Sequence, residues 1–290
     1  MTLRLALTAA VAASAVLSAS AAPQTQTLQG ASLRLEDLVS ADVTINVVPG
    51  TQGVQVTLDG RDEAVARTTM ATEGQDAVIR MAPRNTEGTF SGYDIKLTVT
   101  VAPGTPLAMG GFIGRAAIGD LDAPLSLEAT AGEVKAGRLT TASLESSGSM
   151  DVEIASVEGA LSFSSSGSGS LKAGAVGLTA IEIDGSGSAD IASVAGGLNI
   201  EIAGSADLTI GTIDGPTQID IAGSGSVEIK GGRATSFEVS SAGSGEVRFG
   251  GTAVNPKVDA AGSGDVCIDT IEGSLDASGS DVRVGKGACS

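Results

Sequence analysis

A row of acidic residues recurs once per repeat in the C-terminal half of the sequence, and such a row could bind a cation. Each member is the predicted outward-facing residue of a short strand, and the row consists of Glu182, Glu201, Asp220, Glu238, Asp259 and Asp276. If these strands stack at about 4.8 Å, neighbouring carboxylates repel by about 1 kcal/mol in water. Ca²⁺ prefers oxygen ligands of this kind. The row therefore predicts either a Ca²⁺-binding ladder or a solvated acidic face.

The two cysteines are the second candidate for chemistry. Cys267 occupies an outward position in one of the last repeats, and Cys289 lies in the tail just beyond the final repeat. A disulfide between them would close a loop of about 22 residues and contribute roughly 3 kcal/mol in the chain-entropy model. In an exported protein the oxidising surroundings favour this bond. We predict the Cys267–Cys289 disulfide, with two free thiols as the alternative.

Catalysis has little support in the sequence. The chain has no histidine, the usual general base near neutral pH. The regular spacing between Gly148 and Gly279 also leaves no room for the long loops that carry active sites in β-helix enzymes. We predict no catalytic residues and no cofactor apart from Ca²⁺. A polysaccharide-acting β-helix enzyme is the third hypothesis for function.

The elements that would position these residues are marked by a recurring Gly-Ser-Gly or close variant. The first glycines of the successive copies are Gly148, Gly167, Gly185, Gly204, Gly223, Gly243, Gly262 and Gly279. Their separations lie close to 19 residues, which indicates a repeat architecture. A chain that turns sharply once per repeat needs positions with positive φ, and glycine adopts them without steric cost.

Short apolar alternations follow and precede each glycine. Val152 and Ile154 follow Gly148 with Glu153 between them, and later copies repeat this in-out-in pattern. A second alternation, such as Ile200 and Ile202, closes each repeat before the next glycine. Such alternation is the signature of a half-buried strand, and strands this short are stable only when stacked on their neighbours.

These patterns predict an all-β fold, a single-stranded β-helix or β-solenoid with coils of about 19 residues. A right-handed helix is favoured; the alternative is a left-handed helix built from hexapeptides, and no six-residue sub-period is evident. Residues 22–105 read as strands without the glycine punctuation, so we predict an N-terminal β segment that caps or begins the rod. The repeat solenoid then spans residues 106–290. A cap is required because an open first coil exposes unpaired strand edges.

The N-terminal residues 1–21 have the form of a cleaved signal peptide. Arg4 precedes the apolar run Leu5–Leu17, which is too short to span a bilayer, and Ala19-Ser20-Ala21 forms a cleavage site. No later segment is apolar enough to cross a membrane. The formal charge of −17 excludes binding to nucleic acids, whose phosphates would repel the chain.

Two of the Gly-Ser units carry a resemblance to a known family. The segments Ser241–Phe249 and Ala261–Ile268, preceded by the strands at 42–48, 53–58 and 95–101, resemble the auto-transporter adhesin head GIN domain over most of residues 33–290. The resemblance implies a bacterial, exported, β-helical protein with an adhesin-like role. The family supplies no ligand or catalytic residue to carry over.

Three hypotheses for function follow from these observations. The first is a non-enzymatic structural or adhesin-like interaction module in the periplasm or at the cell surface, which binds a protein partner of the cell envelope or another copy of itself. The second is a Ca²⁺-binding envelope protein that uses the acidic ladder. The third is the enzyme described above.

Overall fold

The computed structural model describes residues 22–83, 93–279 and 282–285, so the predicted signal peptide lies outside the described residues. The N-terminal elements are β1 (Gln24–Leu28), β2 (Ser32–Glu36), β3 (Val39–Val47), β4 (Val54–Gly60), α1 (Asp62–Arg67), β5 (Thr68–Glu73), β6 (Asp76–Met81) and β7 (Ile95–Val101). The next are β8 (Leu107–Ile118), β9 (Leu125–Leu139), β10 (Ala142–Val157), β11 (Leu161–Ser165), β12 (Ser170–Val176), β13 (Thr179–Gly185), β14 (Ser188–Val194) and β15 (Leu198–Gly204). The last are β16 (Asp207–Gly223), β17 (Ser226–Gly243), β18 (Glu246–Val254), β19 (Lys257–Gly262), β20 (Val266–Glu272), β21 (Asp276–Gly279) and β22 (Val282–Val284).

The predicted β-solenoid is confirmed, with about nine turns at a spacing of about 19 residues. Each coil pairs in parallel with the coil before and the coil after, as β12 does with β10 and β14. Equivalent residues of successive coils therefore lie in columns along the rod, about 4.8 Å apart. The right-handed sense of the β-helix stays a prediction.

The interior of the rod is a continuous apolar column built from the alternating residues. Val152, Ile154, Ile200 and Ile202 are each at most 3% exposed, as their pattern predicts. Aromatic rings join this core, and the rings of Phe237 and Phe249 stack with centroids 5.0 Å apart. An isolated strand is not stable in water, and this shared core supplies the stability that it lacks.

The glycine corners stack directly on one another, for two physical reasons. Gly185, Gly204, Gly223, Gly243 and Gly262 are register partners, and all have φ between 134° and 155°. A Cβ atom on Gly223 would also lie 2.2 Å from the carbonyl oxygen of Gly204 in the coil before it. The sequence predicted the first reason, positive φ; the second, close backbone approach, is found only in the structure.

The N-terminal segment both begins the rod and covers its end. Strands β2 and β3 stack in parallel on β8, and β6 and β7 stack in parallel on β2 and β3. Antiparallel strands then close the end, because β4 pairs with β7, β5 pairs with β6, and β1 pairs with β4. From residue 107 onward every described pairing is parallel. No helix among the described residues is long and apolar enough to cross a membrane.

Two details of the sequence interpretation are wrong. The helix α1 interrupts a segment for which only strands were predicted; Asp62 and Glu63 in its first turn and Arg67 in its last suit the helix dipole. Gly279 does not continue the glycine column, since its register partner is Ala260. Leu275 lies opposite the buried Pro256 and is 40% exposed because no described strand stacks on this last coil.

Candidate interaction faces

The strands that close each coil display a column of acidic and hydroxyl side chains, which we name the acidic column. In register order it comprises Glu128, Glu145, Ser164, Glu182, Glu201, Asp220, Ser240, Asp259 and Ser278. It contains no basic residue. Glu182, Glu201 and Asp220 follow one another directly, as the sequence predicted, and Asp259 lies in the same column beyond Ser240. The face is therefore a strip of negative charge along the rod.

Glu238 and Asp276 do not belong to the acidic column, and their predicted placement is wrong. Glu238 is the register partner of Gln218, and Asp276 is the partner of Lys257, so both lie one outward position away. The coil that ends at Gly243 has an extra residue, which is absorbed where the register shifts opposite Gly215 and Thr217. In the last coil, Gly279 was interpreted as a corner glycine, and this shifted the predicted register of Asp276 by two residues.

The displaced acids have a cation beside them. The Nζ atom of Lys257 lies 2.6 Å from Oε1 of Glu238. The hydrogen bond and the charge of Glu238 raise the pKa of Lys257 above its ordinary value, with further contributions from Asp276 and Asp259. Negative charge is thus locally compensated in this neighbouring column, whereas no carboxylate of the acidic column forms an ion pair with a described residue.

The sequence interpretation missed the first two members of the acidic column. Glu128 and Glu145 are register partners that precede the first Gly-Ser-Gly unit, so a search anchored on that unit starts too late. Their signal was present, since each is the polar residue in an apolar alternation, such as Leu144-Glu145-Ser146. Ser146 is buried, and small hydroxyl residues at inward positions hide the alternation from sequence analysis.

The acidic column supplies no compact cage for a metal ion. Within residues 22–83, 93–279 and 282–285, no group of three or more His, Cys, Asp or Glu side chains converges closely enough to hold one. Neighbouring carboxylates of the column are spread along the rod. Where partners exist they are local, as when Ser278 Oγ donates to Oδ1 of Asp259 at 2.8 Å. The predicted Ca²⁺ ladder stays a prediction.

The strands that open each coil carry a second, chemically different face, which we name the opening face. Its first column runs Lys96, Asp42, Arg115, Glu133, Asp151, Ser170, Ser188, Asp207, Ser226 and Glu246. Its second column runs Thr98, Thr44, Ala117, Lys135, Glu153, Lys172, Asp190, Thr209, Glu228 and Arg248. Both columns mix positive and negative charges.

The charges of the opening face are only partly satisfied within the chain. The Nζ atom of Lys135 lies 3.0 Å from Glu133 and 3.5 Å from Glu153, and these contacts, Glu133 first, raise the pKa of Lys135. In the part of the chain that the structure describes, neither Lys172 nor Asp190 forms an ion pair. Both side chains are exposed. This leaves a cation and an anion in adjacent coils that are available to a partner.

An open groove of about 1080 Å³ runs along the opening face beside the second column. It follows a corner at which each coil has a residue with little or no side chain: Gly119, Gly137, Ala155, Gly174 and Ala192. A Cβ atom on Gly174 would lie 2.0 Å from the carbonyl oxygen of Ala155, so close stacking of the coils enforces glycine there. Val47 and Val48 of the N-terminal layers border the groove at one end.

The structure describes one of the two cysteines, Cys267. Cys267 is the register partner of Arg248 and Arg283, which places it in an outward column, but it is only 4% exposed. The prediction that it occupies an outward register position is therefore correct, but its sulfur is not open to solvent. Cys289 lies outside the described residues, so the disulfide between the two stays a prediction.

Residues 198–274 match the family model described as "Putative auto-transporter adhesin, head GIN domain", which confirms over those residues the resemblance drawn from the sequence. Two solved structures similar to this chain are described as putative adhesins. The one from Bacteroides fragilis has 12% identity and a TM-score of 0.35, and the one from Parabacteroides merdae has 14% identity and a TM-score of 0.36; each alignment covers 91% of this chain and 96% of the other. A putative cell adhesion protein from Clostridium sporogenes has 8% identity and a TM-score of 0.28, with 91% and 99% covered. No curated protein matches the chain.

Proposed function

We propose that this chain is a non-enzymatic, adhesin-like interaction module of the bacterial cell envelope, exported to the periplasm or the cell surface. Its acidic column binds a cationic patch on a protein partner. The family matched by residues 198–274 supports the adhesin-like class and an exported location. The observation that carries the proposal is the acidic column itself, a straight strip of carboxylates and hydroxyls without a basic side chain.

A rigid strip of like charge suits recognition better than catalysis. Its carboxylates are fixed at the coil spacing, so a partner with regularly placed Lys or Arg side chains could engage several of them at once. Charge complementarity of this kind accelerates association and selects among partners, and it weakens as salt is added. Binding to such a partner should therefore be fast and strongly dependent on ionic strength.

The experiment compares two triple variants of residues 22–290, the mature chain that the predicted signal-peptide cleavage would leave. One replaces Glu182, Glu201 and Asp220 by Gln, Gln and Asn in the acidic column. The matched control removes the same charge elsewhere, at the exposed residues Glu63, Glu158 and Asp214. Labelled protein is added to intact cells and to envelope fragments of the source bacterium, and saturable binding is measured at several salt concentrations.

We expect the column variant to lose most of its saturable binding and its salt dependence, while the control variant retains both. Equal binding by the two variants would contradict the proposal, because net charge rather than the acidic column would then govern attachment. Absence of saturable binding by the wild-type chain to either preparation would reject an adhesin-like role.

A Ca²⁺-binding role is the second candidate, and the direct succession of Glu182, Glu201 and Asp220 favours it. Ca²⁺ bridging of neighbouring coils would relieve carboxylate repulsion and stabilise the folded rod by mass action. The two candidates differ in their response to the ion. If Ca²⁺ bridges the coils, it raises the melting temperature more than monovalent salt of the same ionic strength does. If Ca²⁺ only screens the charges, the two raise the melting temperature equally.

A further inference from the structure

We propose that two copies of this chain pair through their opening faces, with the rods antiparallel and a two-fold axis between the coil of Glu153 and the coil of Lys172. The proposal is independent of the acidic column, which lies on the closing strands. It follows from the order of charges on the opening face. In this arrangement each column lies against the same column of the other copy, in reversed order.

The second column of the opening face complements itself under this symmetry. Glu153 faces Lys172 of the second copy, and Lys135 faces Asp190. Each of these pairs occurs twice, because a two-fold interface uses the same surface from both subunits. Lys172 and Asp190 form no ion pair with the described residues of their own chain, so pairing with a second copy would give each a partner.

The first column is complementary about the same axis. Arg115 faces Asp207 of the second copy, and Lys96 faces Glu246. The remaining acids of this column face serines, because Asp151, Glu133 and Asp42 lie opposite Ser170, Ser188 and Ser226. Hydroxyl groups can donate hydrogen bonds to these carboxylates.

No pair of like charges occurs in either column at this position of the axis. Shifting the axis by one coil in one direction places Glu133 opposite Asp151, and shifting it in the other direction places Asp151 opposite Asp207. Like charges opposed at close range are unfavourable, so among registers that bring at least eight coils of each copy into contact the charge order favours this one. The first column excludes both of these shifts, and the second column is complementary at the axis that remains; this order of charges is the core of the proposal.

Under this symmetry the grooves of the two copies also lie opposite each other. The groove beside the second column is lined by the small residues Gly137, Ala155, Gly174 and Ala192, and under the same symmetry Gly137 faces Ala192 and Ala155 faces Gly174. The coils from Lys96 to Glu246 span about 45 Å, and five strand residues span about 17 Å. The resulting area, roughly 750 Å² per copy, is close to the ~800 Å² per partner of a standard stable interface.

Charge reversal with rescue tests the pairing. Lys172→Glu places two like-charged pairs across the axis, whereas adding Glu153→Lys to it restores opposite charges. Lys257→Glu makes the same charge change on the other side of the rod and is the matched control. The mature chain and its variants are compared by analytical ultracentrifugation at low and at high salt.

We expect the wild-type chain to be a dimer at low salt and to dissociate as salt is added. Lys172→Glu should raise the dissociation constant about tenfold or more, and the double variant should return it to near the wild-type value. Lys257→Glu should leave it unchanged. A wild-type chain that stays monomeric at low salt, an equal effect of Lys257→Glu, or no rescue by the double variant would overturn the proposal.

A zero-length carboxyl–amine cross-linker tests the antiparallel orientation. Within one copy, Lys96 and Glu246 lie at opposite ends of the opening face, about 43 Å apart at the coil spacing, so they can be joined only between copies. We expect Lys96–Glu246 and Lys135–Asp190 cross-links, identified by mass spectrometry in mixtures of isotopically labelled and unlabelled chains. Cross-links between equivalent coils of two copies would instead indicate parallel rods and refute this geometry.

Discussion

The glycine corners make a stability prediction that can be worked from the structure. In Gly223→Ala, the new Cβ atom would lie 2.2 Å from the carbonyl oxygen of Gly204, and the residue would have to hold φ near 142°. A strained backbone of this kind costs about 1–3 kcal/mol. Moving a packed coil to relieve the clash costs about 1–3 kcal/mol more. We therefore expect Gly223→Ala to lower the free energy of unfolding by about 2–6 kcal/mol.

The matched control is Gly231→Ala in β17, where a Cβ atom would meet nothing within 4 Å. Both variants are compared with the wild-type mature chain by circular dichroism during thermal and urea unfolding. For a chain of this size a loss of 2 kcal/mol corresponds to a melting temperature lower by about 3–4 °C. Gly231→Ala should change it by less than about 2 °C. If both variants have the melting temperature of the wild type, close stacking of the coils does not require glycine at the corners.

Four further predictions concern the core, the ion, the cysteines and the charges. Phe237→Ala removes one of two stacked rings and should cost about 3–5 kcal/mol in urea unfolding, and an unchanged midpoint would contradict its buried position. If the acidic column is only solvated, millimolar Ca²⁺ should raise the melting temperature no more than monovalent salt of matched ionic strength; a larger rise would favour the Ca²⁺ ladder. Thiol titration of the unreduced, unfolded chain should find no reactive thiol if Cys267 and Cys289 are joined, and two if they are free. Arg233 lowers the pKa of Glu272 by a hydrogen bond and by its charge, so this pair stabilises the fold above the ordinary carboxyl pKa and the effect is lost as the pH falls through the lowered value. NMR titration should show the pKa of Glu272 returning upward in Arg233→Gln.

Sequence periodicity predicted the solenoid because the physical requirements of a solenoid repeat once per coil. Alternating pairs such as Val152 and Ile154 must face a shared interior in every coil, and a corner such as Gly204 must accept its neighbour at close range. Each requirement therefore appears many times at one spacing, and the spacing defines the coil. The acidic column was found wherever this spacing held, at Glu182, Glu201 and Asp220.

The prediction failed where one coil departs from the repeat. The extra residue before Phe237 and the buried hydroxyl of Ser241 shifted the inferred register by two residues, which misplaced Glu238. The helix α1 and the order of the N-terminal layers occur once and have no repeat to reveal them. The complementarity of the opening face also escaped sequence analysis, since it depends on which charges share a column and becomes evident only when the register is known.

The order of the N-terminal layers has a consequence for how the rod responds to tension. Strands β2 and β3 lie between β6–β7 and β8, although they precede all of these in the chain. A force applied to the first residues must free β2 and β3 from neighbours on both sides at once, so this end cannot unravel one coil at a time. At the opposite end, β21 and β22 each contact a single described strand and can peel away in sequence. With the predicted Cys267–Cys289 disulfide reduced, we expect a rod pulled from both ends to unwind from its C-terminal coils while the N-terminal end remains locked.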